Sequence, residues 1–477
     1  MGHSADDEIA DVLARASAHA LKYRESLPTR HQGRTATYEA MLDAFRGDLP
    51  EVGQPGPEII DDLARRAEPG LITMAGPRFY GWVIGGSHPV GIAADWMVSA
   101  WGQNNGNHLM VPAASAAEEV AAGWLLDLAD LPRDASVGFV TGATVANFVG
   151  LSSGRGAVLR KAGWDAEADG LFGAPPITVI VGEDAHTTVF SALRFIGLGH
   201  NRVQRVRTDS NGAMIASEAV RMINAASGPT IVIAQAGQLN TGAFDPFPEI
   251  TAAAKDKGAW VHVDGAFGLW ARACPDTAHL AAGIENCDSW ATDGHKWLQT
   301  PYDCGFAIVR DADAHRRAMT TAASYLPEEA RDERDPSHLA PELSRRARGF
   351  VTWAVLRALG RSGVAEMVGR HCQLAKSIAE RIAAEPGITV ANDVVLNQVI
   401  CRFGDDRGLE AADALTEATI QRIQKDGRCF AGGARWRGAW MMRMSVINYA
   451  TSEADADETV AAITDAWRAV QSSQGGV

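Results

Sequence analysis

No stretch of this sequence comes near the roughly 20 consecutive apolar residues needed to span a bilayer, so a membrane is not an expected partner. Positive charge is in short supply as well. Lys plus Arg number 44 against 58 Asp plus Glu, a net charge of −14, and no basic stripe with interleaved aromatics occurs, which excludes nucleic acid as an expected partner. Cysteine is scarce: Cys274, Cys287, Cys304, Cys372, Cys401 and Cys429 stand far apart without a CxxC pair. That spacing suits reduced structural thiols, and neither a disulfide framework nor a metal site is expected. The first ten residues carry His3, Asp6, Asp7 and Glu8 and lack the positive start and apolar run of a secretory signal, which points to the cytoplasm.

Hydrophobic residues make up 46% and charged residues 21% of the 477, an ordinary globular composition in a chain longer than a single domain usually is. Residues 6–22, 37–45 and 57–68 read as helices divided by polar or Gly/Pro-rich stretches. Such a front end has little core of its own and needs a larger surface to pack on, for which a second subunit would serve. Between 136 and 309, short β-branched runs alternate with helical ones, at 136–140, 177–181, 203–207, 230–234, 260–263, 289–291 and 305–309. That rhythm predicts an α/β fold with a mostly parallel seven-stranded sheet and helices on both faces. The polar segment 327–336 reads as a mobile surface loop. Helical patterns at 342–359 and 364–384 follow, then strands at 397–402 and 441–445 and helices at 409–424 and 453–470, a small α+β domain ending in a frayed tail at 471–477. The expected division is a helical arm and entrance segment in dimer contact (1–110), a large domain (111–340) and a small C-terminal domain (341–477).

In parallel α/β sheets ligands collect beyond the carboxyl ends of the strands. Four such ends carry unusual residues. Phe139-Val-Thr-Gly-Ala-Thr-Val-Ala-Asn147 runs from a strand through Gly142 into a helix, gathering free N–H groups and the Thr144 hydroxyl around one point, as an anion cup requires. The strand 177–181 ends in Gly-Glu-Asp-Ala-His186, which leaves an imidazole beyond it for packing or for chemistry. Ala259-Trp-Val-His-Val-Asp264 is an apolar strand interrupted by His262 and closed by an acid, which either caps a helix or needs a cation, and the small residues after it let a ligand approach. In Asp288-Ser-Trp-Ala-Thr-Asp-Gly-His-Lys-Trp297, Lys296 stands between two bulky neighbours, an arrangement that strips water from an amine. Together the four supply what pyridoxal phosphate needs: a phosphate cup, a ring to stack, a carboxylate for the pyridine nitrogen and an amine for the aldehyde.

The sequence resembles the group II pyridoxal-dependent decarboxylases, the family of aromatic L-amino acid, glutamate and tyrosine decarboxylases. His262-Val-Asp-Gly-Ala266 is similar to the family's H-V-D-A-A except at Gly265, and Ser289-Trp-Ala-Thr-Asp-Gly-His-Lys-Trp297 to its S-x-x-x-x-x-H-K-W. Pro112-Ala-Ala-Ser-Ala-Ala-Glu-Glu119 and Leu343-Ser-Arg-Arg-Ala-Arg348 extend the likeness over most of the chain. The resemblance implies the aspartate aminotransferase-like fold (fold type I) and a homodimer, with pyridoxal 5′-phosphate as cofactor. It implies that Ala143, Thr144 and His295 bind the phosphate, that His186 and Ala266 take the two faces of the ring, that Asp264 pairs with the ring nitrogen, and that Lys296 holds the cofactor as a Schiff base. The implied catalytic residues are thus Lys296, His186 and Asp264.

The implied reaction is decarboxylation of an amino acid, probed here by an entrance segment with Phe79, Tyr80, Trp82, His88, Trp101, Asn104 and Asn105. Aromatic residues there suit a large or aromatic side chain, and serve equally as core or dimer contacts. Arg443 on a strand of the small domain is open to a structural role or to holding a carboxylate. The sequence departs from the family in the loop 324–341, which has no tyrosine near Leu339 where relatives carry their proton donor; Tyr325 and His338 are the nearby candidates. It departs again at Gly237-Gln-Leu-Asn-Thr-Gly-Ala-Phe-Asp245, where Asn240 or Thr241 would meet the cofactor's phenolic oxygen. Relatives without the loop tyrosine let O₂ intervene and release an aldehyde, so that outcome stands beside amine formation, as do a C–C lyase, an aminotransferase and a binding protein without turnover.

Overall fold

The computed structural model describes residues 5–320 and 334–474. Seven short runs pair into one sheet: β1 Ser136–Val140, β2 Thr178–Gly182, β3 Gln204–Val206, β4 Thr230–Gln235, β5 Trp260–Asp264, β6 Ser289–Asp293 and β7 Gly305–Val309. All except β3 are almost wholly buried, which is why they read as continuous apolar runs rather than as alternating ones. The order is β1-β7-β6-β5-β4-β2-β3, with β2 to β6 parallel and β7 inserted antiparallel between β1 and β6.

Alternation along the strands divides the core between the two faces. Ile180, Val232, Val261 and Val263 pack with α5 (Pro112–Leu128), α9 (Ala216–Ala225) and α10 (Phe247–Lys257). Val179, Val181, Ile231, Ile233 and Trp260 pack under α6 (Ala143–Lys161) and α8 (Thr187–Phe195), which are linked by the single turn α7 (Ala166–Asp169) and β2. A second sheet, β8 Ile388–Val390, β9 Gln398–Phe403, β10 Gly432–Trp436 and β11 Ala439–Ser445, is antiparallel throughout in the order β10-β11-β9-β8. Its core of Phe403, Met442, Met444 and Trp467 is shared with α12 (Arg348–Ala383) and α14 (Glu453–Gln474), and α13 (Leu409–Asp426) completes the layer.

The polar loop expected at 327–336 falls mainly outside the described residues. The two helices expected at 342–359 and 364–384 are one run, α12, which starts at Arg348 and bends at Gly360, where φ is 63° and only glycine is comfortable. It starts late because 343–346 lies back on the entrance segment, with Arg345 N donating to Asn104 Oδ1 at 2.8 Å. Helix α14 reaches Gln474, so the first four residues of the expected frayed tail are helical. The amino-terminal helices are α1 Ala5–Ser26, α2 Tyr38–Phe45 and α3 Gly56–Ala67, followed by α4 Pro89–Trp101.

Three histidines, His262, His315 and His371, are fully buried, and burial pushes each imidazole down to about 3. Unfolding returns them to about 6.5. The unfolded chain therefore takes up protons first, so stability is intact above that value and falls steadily as the pH drops toward 3. The expected slope is about 1.4 kcal/mol per pH unit for each histidine. Urea unfolding between neutral and acid pH measures it, and His315→Gln should lower the proton uptake by one.

Candidate active site

Five parallel strands, β1, β2, β4, β5 and β6, deliver their carboxyl ends to one cavity of about 400 Å³, lined by Thr141 to Thr144, His186, Thr188, Gln235, Gly237, Leu239, Asp264, Ala266, Phe267, Asp293, His295, Lys296 and Tyr302. Every residue expected to bind the cofactor, Ala143, Thr144, His186, Asp264, Ala266, His295 and Lys296, thus faces the same space.

Helix α6 begins at Ala143 behind Gly142, which has no side chain to cap it. Ala143 N donates to Asp293 Oδ1, and the amides that follow it have no capping side chain, so an anion in the cavity would satisfy them. A Cβ on Gly142 would lie 3.0 Å from His295 Cε1 and 3.2 Å from Asp293 Oδ1, and one on Gly305 would run into the Gly142 backbone at 2.5 Å. The cup closes this tightly because both positions are glycine. His295 accepts from Cys304 N through Nδ1 at 3.2 Å, which leaves Nε2 to carry the proton toward the cup. Burial holds this imidazole below its ordinary range, against the pull of Asp293.

His186 is the N-cap of α8. Its Nδ1 accepts from Thr188 N at 3.3 Å, which fixes the proton on Nε2. Burial lowers the pKa of His186 despite the opposing charge of Asp264, with Lys296 and Arg443 adding to the fall. The ring is therefore a neutral donor at neutral pH. Asp264 is 4% exposed and its recorded donors are neutral: Ala266 N at 3.2 Å and Asn147 Nδ2 at 3.4 Å. A carboxylate this deep with only neutral donors suits a cationic partner in the cavity.

The environment of Lys296 differs from expectation. Trp297 turns away into the core, its indole donating to His371 Nδ1 at 2.9 Å, and His295 stacks on Tyr302 with ring centroids 4.3 Å apart. What stands beside the amine is Asp293, with Oδ2 2.9 Å from Nζ, while its Oδ1 accepts from Ala143 N at 2.6 Å. Asp293 joins lysine to cup. The strand that was expected to stop at 291 continues to 293 and carries this carboxylate into the site; Gln235, flanked by alanines, and Tyr302, in the turn after the lysine, were likewise missed.

Of the expected substrate residues that are described, none lines the cavity. Trp82 is half exposed in a ring cluster with Phe79 and Phe430. His88 is spent capping α4 at Val90 N and packs on Tyr449. His338 sits in the short turn Pro336–His338, and Tyr325 lies outside the described residues. Arg443 is buried, near enough for its charge to act on His186, and donates to Asn240 Oδ1 at 3.4 Å; burial depresses its guanidinium. Thr241 donates to Asn211 O and Asn240 is engaged by Arg443, so neither reaches the cavity lining. These side chains are held by local packing partners, which sequence spacing does not reveal.

The entrance segment instead braces the lysine turn. Gly85 N donates to His295 O at 3.2 Å, His88 N to Gln299 O at 2.7 Å, and Gly86 N to Gln299 Oε1 at 2.7 Å, while Gln299 Nε2 donates to Ile447 O at 2.6 Å.

The pyridoxal-dependent decarboxylase conserved domain matches residues 39–403. The chain belongs to the pyridoxal-dependent decarboxylase family. Tryptophan decarboxylase 1 of Oryza sativa subsp. japonica is 26% identical over 432 residues, 85% of this chain and 83% of its own length. Phenylacetaldehyde synthase of Arabidopsis thaliana is 24% identical over 486 residues, 98% of this chain and 94% of its own. The crystal structure of Oryza sativa TDC with PLP and tryptamine has a TM-score of 0.90 at 23% identity, covering 98% of this chain and 99% of that one. The expected fold type I architecture is thereby established, and the enzyme is a pyridoxal phosphate-dependent amino-acid carboxy-lyase.

The residues present fit that cofactor: the open helix terminus closed by two glycines suits a phosphate, the buried Asp264 a ring nitrogen, and Lys296 an aldehyde. Among the described residues no helix is long and apolar enough to cross a membrane.

Proposed function

We propose that this decarboxylase acts on an aromatic L-amino acid and releases the amine, working as a cytoplasmic homodimer. The convergence of Lys296, Asp264, His186 and the α6 terminus on one cavity carries the reading. Leu239, Phe267 and Tyr302 give that cavity an apolar side suited to an aromatic ring, in keeping with the relatives named above.

Bound pyridoxal phosphate supplies a sink for the electron pair left when CO₂ departs. The chain does the rest. The α6 amides and His295 hold the phosphate end, and Asp264 keeps positive charge on the ring nitrogen. His186, on the cavity wall, would cover one face of the ring and offer its Nε2 proton there. Lys296 would provide the amine that anchors the cofactor, and Asp293 Oδ2, 2.9 Å from Nζ, holds that amine in place at the cavity wall.

One observation favours the second reading, oxidation to an aldehyde. The described end of the loop is pinned and carries no tyrosine: Arg334 donates to Glu118 at 3.2 Å, Asp335 accepts from His108 N at 2.8 Å, and Leu339 is buried. Incubating the holoenzyme with a panel of L-amino acids while measuring CO₂, amine, aldehyde and peroxide separates the two. Equal CO₂ and amine from an aromatic substrate supports the first; aldehyde with peroxide supports the second, and turnover only of acidic or diamino substrates overturns the aromatic assignment.

The dimer reading rests on the arm 1–110. Leu13, Leu21, Phe45, Leu63, Trp96 and Trp101 are exposed on helices α1 to α4, more apolar surface than a monomer leaves in water. Sedimentation should give twice the chain mass of 50.7 kDa. Leu13→Glu with Leu21→Glu should yield monomers and cost at least about tenfold in turnover, a loss of about 1.4 kcal/mol; a fully active monomer would contradict the reading.

A further inference from the structure

An unbroken line of buried polar groups runs up one face of the sheet and ends at Asp264. Trp260, His262 and Asp264 are alternate residues of β5 and so point the same way, toward α6. On α6, Asn147, Gly150 and Gly154 fall at i, i+3 and i+7, a single helical face. That face is cut to receive the line: a Cβ on Gly150 would lie 2.7 Å from the His262 ring, and one on Gly154 2.7 Å from Trp260 Cδ1. Ser289 of β6 pairs in register with His262. Asn147, His262 and Ser289 have no exposed surface.

Trp260 Nε1 lies 2.9 Å from Ser289 Oγ, Ser289 Oγ 2.8 Å from His262 Nδ1, His262 Nε2 2.8 Å from Asn147 Oδ1, and Asn147 Nδ2 3.4 Å from Asp264 Oδ2. The two ends fix every proton between them, because an indole N–H can only donate and a carboxylate can only accept. Asn147 must turn its NH₂ to Asp264 and its carbonyl to His262. Nε2 of His262 therefore donates. Burial pushes this imidazole down to about 3, so the ring is neutral and Nδ1 is a bare acceptor. Ser289 fills it with its hydroxyl proton, and the Trp260 indole donates to the Ser289 oxygen.

We propose that Ser289, His262 and Asn147 form a proton-ordered relay whose task is to aim the Asp264 carboxylate at the ring-nitrogen site. These are positioning residues, and none of them lines the cavity. Without His262 the Asn147 amide is free to turn its carbonyl toward Asp264, acceptor against acceptor, and the carboxylate swings off its target. The inference rests on the reading of Asp264 as partner of the ring nitrogen, and the experiment keeps the two apart.

His262→Leu, His262→Gln and Asp264→Ala are compared in apoprotein titrated with pyridoxal phosphate. Affinity is read from tryptophan fluorescence, protonation of the ring nitrogen from nitrogen NMR of isotope-labelled cofactor, and folding from thermal unfolding. His262→Leu should weaken binding by about tenfold or more, the scale of a hydrogen bond to a charged group, and should deprotonate the ring nitrogen at neutral pH. His262→Gln should restore both, since its amide donates to Asn147 and accepts from Ser289. A leucine variant that loses thermal stability yet keeps the ring nitrogen protonated shows a structural role and overturns the relay, as does a folded glutamine variant that restores neither. If Asp264→Ala itself leaves the ring nitrogen protonated, the reading of Asp264 fails. Should the leucine variant not fold, Asn147→Ala breaks the last link and carries the same expectations.

Discussion

Lys296→Arg should fold as the parent does and yet lose turnover by at least about a thousandfold, together with the visible absorbance of covalently held cofactor. Arginine keeps a cation beside Asp293, which is 2% exposed and 2.9 Å from the lysine amine, but offers no nucleophile. Lys296→Ala should lose activity equally and in addition unfold at lower temperature, because it strips the near cation from a buried carboxylate. His295 Nε2, 3.5 Å from Asp293 Oδ1, compensates only in part. The pair of variants separates the chemistry of the lysine from its electrostatics. Substantial turnover in either would remove Lys296 from the mechanism.

Asp264→Ala is the second large effect, with an opposite signature on stability. Turnover should fall by about a thousandfold, roughly 4 kcal/mol of transition-state stabilisation, because the charge facing the developing carbanion's ring is gone. The cofactor-free variant should be no less stable than the parent, since among the described residues Asp264 is bonded only by Asn147 Nδ2 and Ala266 N, both neutral. Removing a buried charge that lacks a cation relieves a cost. Calorimetry of the apoprotein beside steady-state kinetics reads both numbers, and a variant with near-normal turnover would end the assignment.

Much of the large sheet was legible in the sequence, for a physical reason. The runs 136–140 and 305–309 coincide with β1 and β7 because strands buried on both faces stay apolar from end to end. That β7 enters antiparallel was not legible, since direction is a property of the partner and not of the strand. The hairpin of β10 and β11 was half missed: its turn, Arg437-Gly438, has positive φ at both residues, 50° and 85°, without the asparagine that usually announces one. At the site, Thr144, His186, Asp264 and Lys296 stood out as polar residues where apolar strands stop. Asp293 did not, because it lies inside a strand that the sequence pattern ended two residues too soon. Trp82 and His88 were placed by likeness to the entrance segment of relatives, and their packing partners, Phe430 and Tyr449, lie far along the chain, beyond what local spacing reports.

The position of β7 also sets a timetable for synthesis. β1 sits at the edge of the sheet with β7 as its neighbour, so as the chain leaves the ribosome β1 and the start of α6 wait until residue 309 has emerged. For all that interval the cup exists without its second wall, as Gly305 is what presses on Gly142. A nascent chain stalled before 305 already holds Lys296, Asp264 and His186 but presents an unpaired β1 edge, the kind of surface that chaperones must shield.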